Sequence, residues 1–234
     1  GHTALLATLD DHRYLLLLLA LARIGVTGAP GGMPPVVADI AFSDQPPDSV
    51  GHSRVVPLDE LWPAGLLDGG DPPPAPMHQD GNAILVLAAS SGTTAGNAKL
   101  IPLSHRVFAW RGTRRISSPP LAAGPRHCSF LRPQVNYGLF GSLRTLWVGG
   151  TVVEPHFKAD QASWLAASRV SHIGISPIGL RRMLDVLPPR RVECDLRTIE
   201  VGGGVLPMTT YELVQARLPS LVIMAYGATE VGQV

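Results

Sequence analysis

The chain has 234 residues, 45% of them hydrophobic, enough to bury the core of one large domain or two smaller layers and too apolar for a disordered segment. Its 19 Lys and Arg face 18 Asp and Glu, and the formal net charge of +1 is spread without a basic block, which argues against nucleic acid and against an anionic membrane as partners. Two cysteines, Cys128 and Cys194, are too few for a disulfide framework or a zinc cluster, so two buried thiols in a reducing cytoplasm are expected.

In chain order, the first element is a helix at about 10–24, with Asp10 and Asp11 as cap candidates, "YLLLLLALA" as body and Gly25 as stop. That apolar run ends at Arg23, well short of the ~20 residues a membrane span needs, and reads as a core helix. "VTGAPGGMPP" reads as a loop, and "PVVADIAFS" and "SRVVPLDEL" as short strands. "GGDPPPAPMHQDGN" is an irregular connection, and "AILVLAA" after it is a buried strand. "SHRVFAWRGTRRI" has helical spacing, and "SSPPLAAGP", Ser117–Pro125, breaks it, which places a boundary between subdomains at 1–116 and 117–234.

Beyond that boundary the strands "GTVVEP", "VSHIGIS", "DLRTIEVGG" and "SLVIMAYG" alternate with the helices "DQASWLAASR", "IGLRRMLDVL" and "TTYELVQARL". Such alternation predicts an α/β fold with a parallel sheet covered on both faces. Gly1 in place of Met, and a dense polar motif just before Val234, raise the expectation of a segment truncated at both ends.

The most informative stretch is "AASSGTTAGNAKLIPLSH", residues 88–105. A strand ending in small residues leaves backbone amides free; Ser91, Thr93 and Thr94 add hydroxyl donors and Lys99 adds a point charge, a combination suited to phosphate oxygens. Three familiar patterns fail. From Gly92, GxxxxGK[ST] meets Asn97 and Ala98 where Gly and Lys are required; GxGxxG from Gly202 and Gly204 meets Pro207; and GxSxG fails around Ser176, where the chain reads "GISPIG". A ligand-free Ser/Thr/Gly turn is the other reading of the loop alone.

The loop resembles the phosphate-binding signature [ST]SGTTGxPK of the adenylate-forming, or AMP-binding, superfamily, which includes acyl-CoA synthetases, luciferases and the adenylation domains of peptide synthetases. Ser90, Ser91, Gly92, Thr93 and Thr94 match in order; Gly96, Lys99, Ser104 and His105 match once Ala95 is an insertion, with Ala98 at the usual Pro. "VGGGVLP", Val201–Pro207, is similar to the adenine-bordering SGGAPLP, with Val201 at the Ser and Gly204 at the Ala, and "YGATEVG" matches YGxTE. "LRPQVNYGLFGSL" aligns with PLFHxxGL, with Val135 at the His, and Pro133 stands where peptide synthetases carry an Asp for the substrate's α-amino group.

The resemblance implies a layered αβαβα core of two parallel-sheet subdomains covered by helices, the first ending in the phosphate loop and the second carrying the adenine loop and the YGATE motif. It implies attack of a carboxylate on the α-phosphorus of ATP, then transfer of the acyl group to CoA or to the phosphopantetheine thiol of a carrier protein. ATP would be held by Ser90, Ser91, Gly92, Thr93, Thr94 and Lys99, by Gly202, Gly203 and Gly204, and by Tyr226, Gly227, Ala228, Thr229 and Glu230. Thr94 and Glu230 would hold Mg2+, and Thr94, Lys99 and Glu230 would be the catalytic groups. Val135, Asn136 and Tyr137 are candidates for the acid pocket, although core packing explains Asn136 and Tyr137 equally well, and Pro133 disfavours an α-amino acid. The family's ribose-gripping Asp and C-terminal domain with its catalytic Lys have no counterpart in this sequence, so the chain alone is expected not to be fully active. A standalone acyl-AMP ligase and a non-catalytic nucleotide-binding module are the alternatives. His172 reads as structural, and His78, His127 and His156 lie at no metal-ligand spacing.

Overall fold

The computed structural model describes residues 1–31, 36–44, 54–61, 75–76, 80–90, 99–115, 124–156, 160–229 and 232–233. The chain divides into two compact units, Gly1–Ala109 and Trp110–Val234.

The first unit is built on a six-stranded sheet of β1 (Thr3–Ala7), β2 (Thr27–Pro30), β3 (Ile40–Ser43), β4 (Val55–Pro57), β5 (Ile84–Ala89) and β6 (Leu100–Ser104), in the spatial order β4-β3-β1-β2-β5-β6. Neighbouring strands are parallel except β5 and β6, which pair antiparallel. The helix Asp11–Arg23 joins β1 to β2 and buries Tyr14, Leu15, Leu17, Leu18 and Leu21. Its start is fixed by the Asp10 carboxylate, which accepts from the Arg13 amide at 2.8 Å, and Gly25 follows its end at a φ of 75°.

Thr27–Pro30 is a strand, not the loop its composition suggests. It lies between β1 and β5, where the first helix packs so closely that a Cβ on Gly28 would stand 2.5 Å from Leu18 Cδ1. Only a small residue fits, and packing overrides propensity. "SRVVPLDEL" also departs from a single strand: Pro57 ends β4 and the helical turn Leu58–Leu61 follows.

The second unit holds a five-stranded, all-parallel sheet of β7 (Arg126–Ser129), β8 (Thr151–Val153), β9 (His172–Ile175), β10 (Thr198–Gly202) and β11 (Leu221–Ala225), ordered β11-β10-β9-β7-β8. β12 (Gly227–Ala228) and β13 (Gly232–Gln233) form a separate antiparallel ladder. Side chains alternate between the two faces of each strand. On one face Cys128, Ile173, Ile175, Ile199 and Val201 pack with Leu165, Leu180, Leu184 and Val214 from the helices Gln161–Ser168, Pro177–Val186 and Met208–Arg217. The other face carries His127, His172, Gly174, Glu200 and Gly202 and meets the helix Asn136–Trp147.

Two local devices keep these connections short. Ser176 accepts from the Gly179 amide at 3.1 Å, with Pro177 opening the helix behind it. Arg169, at a φ of 52°, is the one non-glycine residue in the left-handed region among the described residues and closes Gln161–Ser168. Neither cysteine is in a disulfide; Cys128 is fully buried and Cys194 partly so. No helix among the described residues is long and apolar enough to cross a membrane.

Candidate functional site

In the first unit, the antiparallel pairing of β5 and β6 brings together the two flanks of the hydroxyl and glycine stretch. Ala89 lies opposite Leu100, and the Ser90 amide donates to the Lys99 carbonyl at 2.8 Å. Ser91, Gly92, Thr93 and Thr94, with Gly96, lie outside the described residues; Lys99 is exposed at the mouth of the hairpin. Pro102 stands in β6, the edge strand, where a missing backbone N–H costs no ladder bond. The Ser-His end of the motif is structural, since Ser104 Oγ accepts from the Val107 amide at 3.3 Å and caps the helix His105–Arg115. The His105 amide donates to the Ala83 carbonyl at 3.1 Å, and partial burial holds its imidazole below the ordinary histidine range.

In the second unit, the chain runs from β7 to β8 on one side and then crosses to β9 on the other. Open parallel sheets bind ligands outside the carboxyl ends of the strands at such a reversal. The connections that leave those ends include residues 130–135 after β7, 154–156 after β8, Ser176 after β9, Gly203–Val205 after β10 and Tyr226–Thr229 after β11. The first is pinned by the Phe130 amide on the Gly174 carbonyl at 2.8 Å and by Ser129 Oγ donating to the Leu131 carbonyl at 2.6 Å. Gly202 is in register with Ala225, so the glycine loop and the YGATE segment leave adjacent strand ends. Gly203 takes a φ of 82°, which a side chain would resist. Gly203, Gly204, Tyr226, Gly227 and Ala228 are exposed, whereas Thr229 is half-buried and its carbonyl accepts from Arg111 Nη2 at 3.1 Å. Glu230 lies outside the described residues.

The acid-pocket candidates sit at the start of the helix Asn136–Trp147. Val135 is exposed, Asn136 and Tyr137 are half-buried and Pro133 is buried. The Tyr137 ring lies across two glycines: a Cβ on Gly202 would stand 2.7 Å from Cε2, and one on Gly174 3.4 Å from Cε1. Tyr137, Gly202–Gly204 and Tyr226–Thr229 are therefore brought together at one end of this sheet, while Ser90 and Lys99 belong to the first unit.

Beneath Tyr137 the same face carries charge. Buried Arg144 and partly buried Glu200 pair at 3.6 Å, tying the helix that bears Tyr137 to the strand that delivers Gly202. His127, 4% exposed, is wedged below the helix, 2.9 Å from where a Gly141 Cβ would be. Burial, aided by Arg144 and His172 and opposed by Glu200, pushes its imidazole down to about 3, so it is neutral. His172 is likewise held low by burial, and its Nδ1 lies 2.7 Å from Ser171 Oγ.

Sequence reasoning missed Arg111, His127 and the Arg144–Glu200 pair. A signal for the polar face was present in "VSHIGIS" and "RTIEVGG", where His, Gly and Glu alternate with Ile and Val. Among the described residues no group of three or more His, Cys, Asp or Glu gathers as a cation site. The two proposed magnesium ligands, Thr94 and Glu230, lie outside the described residues.

A family model described as "AMP-binding enzyme" matches residues 33–234. Among solved structures, VinN in complex with L-aspartate has a TM-score of 0.85 at 18% identity, over 98% of this chain and 63% of that one. Unliganded O-succinylbenzoate coenzyme A synthetase (MenE) from Bacillus subtilis has a TM-score of 0.82 at 17% identity, over 100% of this chain and 50% of that one. ATP-bound MatB from Rhodopseudomonas palustris has a TM-score of 0.81 at 23% identity, over 100% and 51%. The chain thus spans between half and two thirds of the length of these structures, and the likeness is one of fold. No curated protein matches the sequence.

Proposed function

The chain belongs to the AMP-binding enzyme family, and from that premise we propose that it is the nucleotide- and acid-binding part of an ATP-dependent ligase that joins a carboxylic acid to AMP. The observation that carries the reading is the register of Gly202 with Ala225, which starts the glycine loop and the YGATE segment side by side at the carboxyl end of a parallel sheet. A carboxylate oxygen forms a bond to the α-phosphorus of ATP, the α–β bridging P–O bond breaks, and its electron pair leaves with pyrophosphate. No proton is transferred, so catalysis depends on positioning and on stabilising charge.

In this reading Gly202–Gly204 and Tyr226 border the adenine, and Thr229 reaches the α-phosphate. Ser90, Ser91, Gly92, Thr93, Thr94 and Lys99 receive the departing phosphates, with Lys99 supplying positive charge from the mouth of the hairpin. Magnesium is proposed on Thr94 and Glu230, where it would spread charge over phosphate oxygens; no step here runs through it. Relatives solved with ATP and with AMP support the nucleotide.

The acid is proposed to lie against Tyr137, between Val135, Asn136 and the glycine-bearing face of the sheet. Pro133, buried at the start of this segment, offers no partner for an ammonium group, which favours a non-amino carboxylic acid. The acyl group then passes to CoA or to a carrier's phosphopantetheine thiol; the name of MenE, a coenzyme A synthetase, supports the former.

ATP–pyrophosphate exchange by the full-length protein, with Mg2+ and a panel of acids, tests the reading. Acid-dependent exchange, strongest with a non-amino acid, is expected. A folded protein that binds AMP yet exchanges with no acid refutes ligation, and an α-amino acid as the best substrate refutes the role of Pro133 alone.

A further inference from the structure

Residues 226–228 are thinly packed: Tyr226 is 81% exposed, Gly227 and Ala228 are exposed, and β12 pairs with β13 over two residues. One strong fastening reaches the YGATE segment from within its own unit. Arg111, on the helix His105–Arg115 and only 8% exposed, donates from Nη2 to the Thr229 carbonyl at 3.1 Å. A guanidinium stays charged at any working pH, and a charge-assisted bond sheltered from water is stronger than a neutral one at the surface.

We propose that Arg111 is the positioning residue of this segment: by holding the Thr229 carbonyl it sets where the Thr229 hydroxyl meets the nucleotide. Threonine is β-branched and stiff at χ1, so fixing its backbone also limits the direction of its hydroxyl. In this role Arg111 acts through that backbone. The proposal rests on reading Tyr226–Glu230 as a nucleotide-binding segment. A plain packing role for the Arg111 stem would instead lower stability and leave the folded enzyme's kinetics intact.

Arg111→Ala and Arg111→Lys in the full-length protein separate these cases through two readouts, amide hydrogen exchange across residues 226–233 and single-turnover formation of acyl adenylate from ATP and acid. For Arg111→Ala we expect faster exchange confined to 226–233 and adenylation slowed about 10- to 10²-fold, the scale of a misplaced reacting group, with KM for the acid within about twofold of wild type. Arg111→Lys, which keeps a charged donor on a long stem, is expected to recover most of both. Wild-type exchange in 226–233 for the alanine variant, faster exchange spread over the whole unit, or a lysine variant no better than alanine would each overturn the proposal. Should the wild-type protein form no adenylate with any acid, the ligase reading fails, while the exchange measurement still decides whether Arg111 holds the segment.

Discussion

Gly202→Ala tests the arrangement at the carboxyl end of the second sheet with a single methyl group. Its Cβ would stand 2.7 Å from Tyr137 Cε2 and 3.0 Å from Cζ, against about 3.5–4.0 Å for comfortable carbon contacts. A retreat from Gly202 would carry the ring's Cε1 edge toward Gly174. Gly202 does not have a positive φ, so the cost is steric and not conformational. Overpacking of this kind destabilises by about 1–3 kcal/mol. Urea unfolding of wild type, Gly202→Ala, Tyr137→Ala and the double variant isolates the term. Once the ring is gone the added methyl has room, so the double variant should be more stable than the sum of the single effects predicts, by at least about 1 kcal/mol. Simple additivity, with Gly202→Ala costing the same in both backgrounds, would show that the ring does not occupy this face and would remove Tyr137 from the proposed acid pocket.

Lys99→Ala and Thr94→Ala should each lower the adenylation rate about 10²-fold, the scale for losing one preorganised charge-stabilising group, with KM for the acid barely changed in single-turnover assays; a fully active variant removes that residue from the site. Stability of the second unit should fall with acidity: His127 is held near 3 by burial, whereas the unfolded chain takes up a proton on this ring below about 6.5. The unfolded state therefore binds more protons across that window, and about 2 kcal/mol should be lost between pH 7 and pH 5 through this group. In denaturation series His127→Gln should flatten that part of the pH profile, leaving a remainder from His172, also held low by burial; an unchanged slope refutes the assignment. Ser176→Ala removes the cap on Gly179 and should cost about 1 kcal/mol, read as a lower urea midpoint at unchanged m value.

The alternating third of the chain, residues 151–225, is legible because each strand there is a short Ile- and Val-rich run set off from the helical segment that follows it, so local signals agree with the final structure. β2, β7 and the helix Asn136–Trp147 are not, because their residues answer to distant neighbours. Gly28 is small for Leu18, Gly141 for His127, and Gly138 for the Leu131 and Arg132 carbonyls, which a Cβ would strike. Locally such residues read as turn or breaker. The family was legible through the resemblance of the motif stretches. Arg144 with Glu200, and Arg111 with Thr229, are pairs between elements far apart in sequence, and no single-sequence period encodes them.

The backbone bond between Ser90 and Lys99 also bears on how this family's loops vary. Since Ser90 and Lys99 are joined by the ladder itself, the sheet sets where the connection leaves and where it returns. A main-chain bond makes no demand on the side chains at its two ends, so non-proline substitutions at Ser90 or Lys99 leave the flanks joined.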